Sequence, residues 1–288
     1  MSDVPSPASA PSRLPRIVAV LAARNEERFL KTCLENLFRQ GVEVYVCDNG
    51  STDRTVEIAK AYLGAGVIGI EHIPFDGTYQ WERILQRKEA LFRELDADWL
   101  MHVDADEIHL PPPGHASIAA AIAAADAQGY EAVEFAEFTF LPTREAPDHD
   151  HPDFVQQLRT YYPFRPRSPH CVRAFRKQPV PMEIAWSGGH HVRFQAPGKP
   201  VQPPLFPEQF RMKHYIFLSA DHASRKYPGR KYHDDEVNRL RWHGWRPRLR
   251  TEQIALPSAA HLRTTANDDD LDSTSPWTKH WLDQCAAS

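Results

Sequence analysis

Apolar runs and helical periodicities alternate along the first half of the chain. Residues 16–23 form a near-continuous run rich in β-branched side chains, which is typical of a strand buried on both faces of a parallel sheet. Residues 27–39 place their apolar side chains at helical spacing, and Gly41 is expected to end that helix. Residues 42–47 predict the next strand. The alternation continues with predicted helices at 53–63, 79–95 and 117–127, and predicted strands at 67–70, 98–103 and 131–140.

This order of elements predicts an α/β protein with a mixed, mostly parallel central sheet flanked by helices. In doubly wound sheets of this kind, ligands bind in a crevice beyond the carboxyl ends of the strands. The loops that follow residues 23, 47 and 103 are therefore expected to face one crevice.

The pattern is weaker after residue 141. Residues 142–170 are rich in Pro, His and Asp and predict a long loop, which is uncommon unless it is functional or disordered. Residues 219–243 are polar and predict helix. Short strands are predicted at 171–176, 190–194 and 211–218.

Composition and charge narrow the class of protein. The hydrophobic fraction of 42% is ordinary for a globular protein, and a net charge of −4 gives no general reason to expect nucleic acid as a partner. The four cysteines lack metal-binding spacing, and no apolar run is long enough to span a bilayer. These features favour a cytoplasmic protein in a reducing compartment.

The chain divides into three predicted parts. Residues 1–15 are rich in Pro, Ser and Ala, lack the apolar centre of a signal peptide, and are expected to be a disordered lead. Residues 16–263 are expected to form a single domain. Residues 264–288 begin with an acidic stretch and are expected to be a loose tail.

A cluster of carboxylates follows the predicted strand at 98–103. Asp104 and Asp106 lie two positions apart in the motif Asp-Ala-Asp-Glu, just beyond a buried strand. Two carboxylates at this spacing suit a hard divalent cation such as Mg²⁺ or Mn²⁺, which prefers oxygen ligands and often binds substrate phosphates as well. The alternative is a solvated acidic turn, because a single Asp-x-Asp is common by chance.

A second polar loop follows the strand at 42–47. Asp48 lies at the strand's end, where its carboxylate can accept hydrogen bonds from a nucleobase or a ribose, and we favour that ligand role. For Asn49, Gly50 and Ser51 a capped turn is the simpler explanation.

Three motifs taken together resemble glycosyltransferase family 2. They are Ala-Ala-Arg-Asn-Glu-Glu at 22–27, Cys-Asp-Asn-Gly-Ser-Thr-Asp-Arg-Thr at 47–55, and Val-Asp-Ala-Asp-Glu at 103–107. The chain is most similar to the bacterial branch whose first loop reads A-R-N-E and whose acidic motif reads D-x-D-E. The resemblance covers residues 16–140 well.

The resemblance implies a GT-A fold in which residues 16–140 bind the nucleotide-sugar donor and the metal, and residues 141–263 bind the acceptor. It implies that Glu26 and Asp48 contact the nucleoside, that Asp106 is the principal ligand of Mn²⁺ or Mg²⁺, and that Asp104 contacts the ribose or the metal. The complete donor set that it implies is Ala23, Asn25, Glu26, Asp48, Arg87, Asp104 and Ala105.

The resemblance also implies sugar transfer with inversion, in which a carboxylate base deprotonates an acceptor hydroxyl. UDP-sugars are the favoured donors, and the acceptor is expected to be a glycan, a lipid-linked saccharide or another cell-surface molecule. Glu183 is the candidate base. The competing carboxylates are Glu134, Glu137, Asp148 and Asp153, with Glu134 expected to be exposed by the alternation along its strand.

Late histidines supply further candidate metal ligands. His191 follows two glycines, and His214 begins a His-Tyr dipeptide similar to one in relatives of the family. We predict that these two histidines complete the metal site, although a hydrogen-bonded or exposed histidine is an equally good explanation for each one.

The segment 225–250 is strongly basic, with nine Lys or Arg against three acids. A solvated face is the simplest explanation for such a run. Two functional alternatives are neutralisation of the donor diphosphate by Arg225, Lys226 or Lys231, and peripheral contact with the inner face of a membrane through Trp242 and Trp245. Neither the oligomeric state nor the identity of the sugar follows from the sequence.

Two other classes of protein share features with this sequence. A dinucleotide-binding dehydrogenase requires a Gly-x-Gly-x-x-Gly turn after the first strand, and residues 22–27 contain no glycine. A non-catalytic nucleotide-sugar or glycan-binding protein on the same scaffold is the alternative function, since the identity of the base is open.

Overall fold

The computed structural model describes residues 13–244 and 246–286. The strands in this part of the chain are β1 (Ile17–Ala23), β2 (Val42–Asp48), β3 (Val67–His72), β4 (Trp99–Asp104), β5 (Glu107–Leu110), β6 (Ala132–Phe140), β7 (Thr160–Phe164), β8 (Cys171–Arg176), β9 (Met182–Glu183), β10 (Arg193–Phe194), β11 (Phe210–His214) and β12 (Arg263–Thr264). The α-helices are α1 (Leu30–Arg39), α2 (Thr55–Ala61), α3 (Trp81–Glu94), α4 (Ile118–Ala127), α5 (Phe154–Gln157), α6 (Ala220–Lys226) and α7 (Trp281–Cys285).

One ten-stranded sheet organises the described chain, in the order β12-β7-β6-β8-β4-β1-β2-β3, with β11 beside β6 and β5 beside β11. Strands β1 to β4 are parallel neighbours, and β6, β11 and β12 run in the same direction. Strands β5, β7 and β8 run against them. The prediction of a mixed, mostly parallel sheet flanked by helices is confirmed.

The centre of the sheet is buried because its strands carry apolar side chains on both faces. In β1, residues 17–21 are at most 1% exposed, as expected for a strand covered on both sides. Helix α1 packs its apolar stripe on this sheet and ends at Arg39, two residues before Gly41, whose backbone has φ +78°. A Cβ at Gly41 would lie 2.8 Å from Cβ of Ala119, so the close approach of α4 also requires glycine.

The second half of the chain corrects two predictions. Residues 142–170 are not a continuous loop, because they include the short helix α5 and strand β7, which pairs with β6. Residues 219–243 are not one helix. Helix α6 ends at Lys226, just before Pro228 and Gly229, and a π-helical turn follows at Glu236–Leu240. Proline and glycine end the helix because one cannot donate the required N–H and the other has φ +80°.

The C-terminal segment packs against the core, in contrast to the loose tail expected from its sequence. The Trp277 ring stacks on Tyr162 of β7 with ring centroids 4.2 Å apart. Leu282 of α7 is fully buried in an apolar cluster with Phe217. Residues 1–12 of the predicted lead, Trp245 and the last two residues lie outside the described part of the chain.

Candidate active site

A polar cavity of about 590 Å³ opens at the carboxyl ends of β1 and β4. Its walls include Ala23 at the end of β1 and the acidic motif after β4. The sheet-edge crevice predicted for these loops is present. Cavity-lining side chains also come from the second half of the chain, including His170, His190, His214, Lys226, Arg230, His280 and Asp283.

Asp106 lies at the centre of a buried group of charges. The Lys226 Nζ donates to Asp106 Oδ2 at 2.8 Å and lies 3.8 Å from Glu26 Oε1. His214 Nε2 is 3.8 Å from the same Asp106 oxygen. Burial opposes ionisation of Asp106, but Lys226 and His214 outweigh it and hold its pKa well below the ordinary value. Asp106 is therefore an ionised carboxylate, ready to accept a cation.

Asp104 belongs to a neighbouring network of buried ions. Arg173 donates to Glu107 Oε1 at 2.7 Å and lies 3.5 Å from Asp104 Oδ2. Lys88, which is fully buried, lies 3.8 Å from Asp104 Oδ1 and donates to the carbonyl of Val103. Burial lowers the pKa of Lys88 to about 8, while it raises the pKa of Glu107 against the opposing effect of Arg173. These buried side chains hold the acidic motif in position.

Glu137 links the acidic motif to the opposite wall. One of its oxygens accepts from His214 Nδ1 at 2.8 Å, and the other accepts from His170 Nε2 at 3.0 Å. The ligating atoms of His170, Cys171 and His190 lie within 4.8 Å of one another, so this wall carries a second group with metal-binding chemistry.

Several predicted donor-site residues line the cavity. Ala23, Glu26, Asp104, Ala105 and Asp106 are all in its wall. Burial raises the pKa of Glu26, and Lys226 opposes that rise. The structure therefore brings together the first loop and the acidic motif, as the sequence predicts.

Three other predicted donor-site residues lie outside the cavity wall. Asp48 is 5% exposed and accepts from the backbone N–H groups of Gly50 and Ser51, each at 3.1 Å. Asn25, in the left-handed region with φ 56°, accepts from the N–H of Thr52. The structure therefore shows Asp48 and Asn25 holding the turn after β2.

Arg87 is the third of these residues. It pairs with Glu71 at 2.8 Å and with Glu94 at 2.8 Å, and it does not line the cavity. The contact with Glu71 ties α3 to β3, and the contact with Glu94 lies within α3. A direct contact between Arg87 and a donor has no support in this arrangement.

The candidate base and one candidate metal ligand also lie away from the cavity lining. Glu183 is bound by Arg193 at 2.7 Å and by Gln195 at 2.6 Å. His191 is buried, and its backbone N–H donates to Ser187 Oγ. Of the two predicted histidine ligands, His214 lies beside Asp106, whereas His191 is not among the residues that line the cavity.

The structure differs from the sequence analysis at Glu134, which does not line the cavity, and adds Arg24, which does. Glu134, expected to be exposed, is 7% exposed and accepts from Arg165 and from the N–H of His170. The strand is covered on both faces, so simple alternation fails there. Arg24 lies over the Phe75 ring, 3.4 Å from its centroid, and donates to the carbonyl of Asn49. Its position directly before Asn25 in the first motif was an available signal.

The fold and the cavity together define an α/β protein with a carboxylate-rich binding site at the carboxyl edge of its sheet. Residues 18–134 match the model of the family described as Glycosyl transferase family 2. This part of the chain is similar to that family, and the match spans less than half of the chain. It contains β1 to β5, the acidic motif and the start of β6.

One curated relative is the lipopolysaccharide core biosynthesis glycosyltransferase LpsC of Rhizobium meliloti (strain 1021). It is 31% identical over 90 residues, which cover 31% of this chain and 31% of LpsC. The chain thus matches about a third of the relative's length.

Two solved structures show partial backbone similarity. S. aureus TarS 1-349 in complex with UDP-GlcNAc is 12% identical, with a TM-score of 0.43, over 74% of this chain and 61% of that one. Glucosyl-3-phosphoglycerate synthase from Mycobacterium tuberculosis in complex with Mn²⁺, UDP and glucosyl-3-phosphoglycerate is 22% identical, with a TM-score of 0.30. That match covers 50% of this chain and 47% of the synthase.

Proposed function

We propose that this protein is a metal-dependent glycosyltransferase that moves a sugar from a nucleotide-sugar donor, with UDP-sugars favoured, to a saccharide acceptor with inversion. The observation that carries this proposal is the meeting of Asp104, Asp106 and His214 in one cavity, at the edge where a parallel sheet binds ligands. The family of residues 18–134 supports sugar transfer as the reaction.

The ligand chemistry of the site fits Mn²⁺ or Mg²⁺. Asp106 and Asp104 offer carboxylate oxygens, and His214 offers an imidazole nitrogen on the same side of the cavity. Manganese accepts such a mixed oxygen and nitrogen set, and magnesium accepts the oxygens. When bound, the cation would supply positive charge for the diphosphate. The ammonium of Lys226 has to leave Asp106 Oδ2 for this to happen.

Basic side chains in the same wall suit the departing diphosphate. Lys226 and Arg230 line the cavity close to the predicted metal ligands, and Arg241 and Arg246 line it further along the chain. Four of the nine basic residues of segment 225–250 therefore line the cavity. The explanation of this segment as a wholly solvated face does not hold for these four residues. Lys226, released from Asp106, would bind a phosphate oxygen and stabilise the leaving group.

The acceptor we propose is a cell-surface glycan or a lipid-linked saccharide. The curated relative LpsC acts in lipopolysaccharide core biosynthesis by its name, which supports a saccharide of that kind. Aromatic and polar groups suited to sugar rings lie on the far wall, including Trp186, Trp242 and His280. In the described part of the chain, no helix is long and apolar enough to cross a membrane.

Membrane contact through segment 225–250 is a separate proposal for a lipid-linked acceptor. Trp242 lines the cavity, which leaves it less suited to a bilayer, and Trp245 lies outside the described residues. Sedimentation with vesicles containing anionic lipid would test it. Binding that is lost in Arg248→Glu would support it, and no binding would remove it.

The function is tested by nucleotide release from UDP-, GDP- and dTDP-sugars, each with and without Mn²⁺. We expect slow Mn²⁺-dependent hydrolysis of one donor without acceptor, and its loss in Asp106→Ala. The alternative function, a non-catalytic binding protein, predicts binding of the same donor with no hydrolysis.

The metal ligands are tested with a matched pair of histidine variants. His214→Ala should weaken Mn²⁺ binding by about 10-fold or more, because a ligand is lost, whereas His191→Ala should leave it unchanged. If both variants bind Mn²⁺ as tightly as wild type, His214 is not a metal ligand.

A further inference from the structure

One buried carboxylate holds two histidines that face different parts of the cavity. The Glu137 side chain is 4% exposed. Its Oε1 accepts from His214 Nδ1 at 2.8 Å and from Thr139 Oγ1 at 3.1 Å, and its Oε2 accepts from His170 Nε2 at 3.0 Å. Two imidazoles and one hydroxyl therefore surround the Glu137 carboxylate, and Glu137 acts as a hydrogen-bond acceptor for all three.

This arrangement indicates which His170 nitrogen carries the donated proton. Because Glu137 is the acceptor, His170 Nε2 carries the proton that it donates, and Nδ1 is left with a lone pair. His170 is 3% exposed and lines the cavity. Its Nδ1 is buried and has no hydrogen-bond partner among the described residues. A buried polar atom without a partner requires an explanation, and a substrate hydroxyl supplies one.

We propose that His170 is the general base of the transfer reaction and that Glu137 positions it. This inference rests on the proposed glycosyltransferase function. The acceptor O–H gives its proton to His170 Nδ1 while the oxygen lone pair forms the new bond to the anomeric carbon. The bond from that carbon to the diphosphate breaks, and its electron pair leaves with the diphosphate. The imidazolium that forms is stabilised by Glu137.

The other carboxylates are less suited to this role. Glu183 is held by Arg193 and Gln195 outside the cavity wall. Asp106 is held by Lys226 and faces the predicted metal site. Asp283 is a further competitor, because it lines the cavity and is half-buried. One of its oxygens accepts from the backbone N–H of His280 at 3.3 Å.

The group formed by His170, Cys171 and His190 also has the chemistry of a zinc site. The Glu137 hydrogen bond already uses His170 Nε2, so His170 would have to ligate through Nδ1. The His170 and His190 rings lie nearly parallel, 24° apart, with centroids separated by 5.1 Å. Two nearly parallel rings direct their nitrogen lone pairs poorly towards one shared ion. We therefore assign His170 to proton transfer, and metal analysis of the purified protein tests this choice.

The variant His170→Gln separates a base from a structural residue. The Gln amide can still donate to Glu137, but no basic nitrogen remains at the position of Nδ1. The assay follows hydrolysis of the UDP-sugar that the wild-type protein hydrolyses fastest in Mn²⁺, with water in place of the acceptor, and then repeats the reaction with azide. Azide is an anionic nucleophile that needs no deprotonation.

We expect His170→Gln to slow the water reaction by about 10²–10⁴-fold, the range for a lost general base, and to leave the azide reaction and UDP binding within about threefold of wild type. His191→Gln is the control and should keep the water reaction. His170→Asn also lacks the base and replaces His170→Gln if that variant fails to fold.

Three results would overturn the assignment. They are an unchanged water reaction in His170→Gln, an equal loss of the water and azide reactions, and one equivalent of zinc in the wild-type protein that His170→Gln loses. If the wild-type protein hydrolyses no nucleotide-sugar, the proposed function itself fails, which is a distinguishable outcome.

The positioning role of Glu137 has its own readout. In Glu137→Gln the amide replaces the carboxylate acceptor of both histidines, so Mn²⁺ affinity should fall by about 10–100-fold together with the water reaction. If Glu137→Gln has the Mn²⁺ affinity of wild type and the same pH profile of the water reaction, the positioning role is contradicted.

Discussion

Replacing Lys226 by Met should destabilise the protein in a way that a divalent cation partly reverses. Lys226 and Asp106 are 10% and 13% exposed and 2.8 Å apart, and Glu26 lies 3.8 Å from the same ammonium. At an effective dielectric constant of about 20, a pair at this distance attracts by about 6 kcal/mol, from which desolvation must be subtracted. Removing one partner of a buried pair typically costs about 3–5 kcal/mol, and we expect that loss in metal-free buffer.

The cation should restore part of this stability because it replaces the missing positive charge. In the wild-type protein Mn²⁺ has to displace Lys226 from Asp106, whereas in Lys226→Met it does not. Mn²⁺ at about 100 times its dissociation constant adds about 2.7 kcal/mol to a folded state. The variant should therefore bind Mn²⁺ more tightly than wild type and yet release nucleotide more slowly, since the diphosphate has lost its lysine.

Urea unfolding with and without Mn²⁺ measures both effects. The matched control is Arg225→Met, one residue earlier on the same helix, where the side chain is 52% exposed and pairs with Asp221 and Asp150. The Arg225→Met substitution should cost about 1 kcal/mol or less, and this cost should be the same with and without Mn²⁺. Equal stabilisation of Lys226→Met and wild type by Mn²⁺ would refute the reasoning.

Three further predictions concern packing and pH. Gly189→Ala should lower the free energy of unfolding, measured in urea, by about 1–3 kcal/mol, because the backbone at residue 189 has φ +91° and the new Cβ would lie 2.8 Å from His102 Nε2. An unchanged free energy of unfolding would show that the loop adjusts freely. Trp277→Ala should release the C-terminal segment to limited proteolysis and slow nucleotide release, while resistance equal to wild type would contradict the packing described. Burial lowers the pKa of His109 and His280 to about 3, so each favours folding above pH 6.5 and loses that contribution as pH falls. The free energy of unfolding should therefore be about 2 kcal/mol lower per histidine at pH 5 than at pH 7, and an unchanged free energy of unfolding would refute this.

Much of the first half of the fold follows from local sequence. The apolar run at 16–23 and the helical spacing at 27–39 each predict their element from local sequence alone. The structure has β1 and α1 at these positions. Asp104 and Asp106 reach the cavity because the carboxyl ends of adjacent parallel strands meet at one edge. Local periodicity and this topological rule are enough to locate the acidic motif.

The opposite wall depends on pairing between distant segments. Strand β7 pairs with β6, and the C-terminal segment packs on β7 through Trp277, so Phe164 and His280 meet although they are far apart in sequence. No local pattern records these contacts. For the same reason alternation along β6 gave the wrong exposure for Glu134, because the segments that cover its second face come from elsewhere in the chain.

The candidate base shows the limit of analogy. The resemblance implies a carboxylate base, and Glu183 lies in a suitable part of the sequence. The structure pairs Glu183 with Arg193 and Gln195, whereas His170 lines the cavity and its buried Nδ1 has no partner among the described residues. The signal in the sequence was only the His-Cys pair at the start of β8, which has no distinctive spacing.

Calorimetric titration of the full chain with UDP, GDP and dTDP, each with and without Mn²⁺, tests the central claim most directly. The account predicts that UDP binds in a Mn²⁺-dependent manner and that Asp106→Ala, while still folded, loses this binding. If none of the three nucleotides binds under either condition, the cavity is not a donor site, and the acidic motif is a solvated turn.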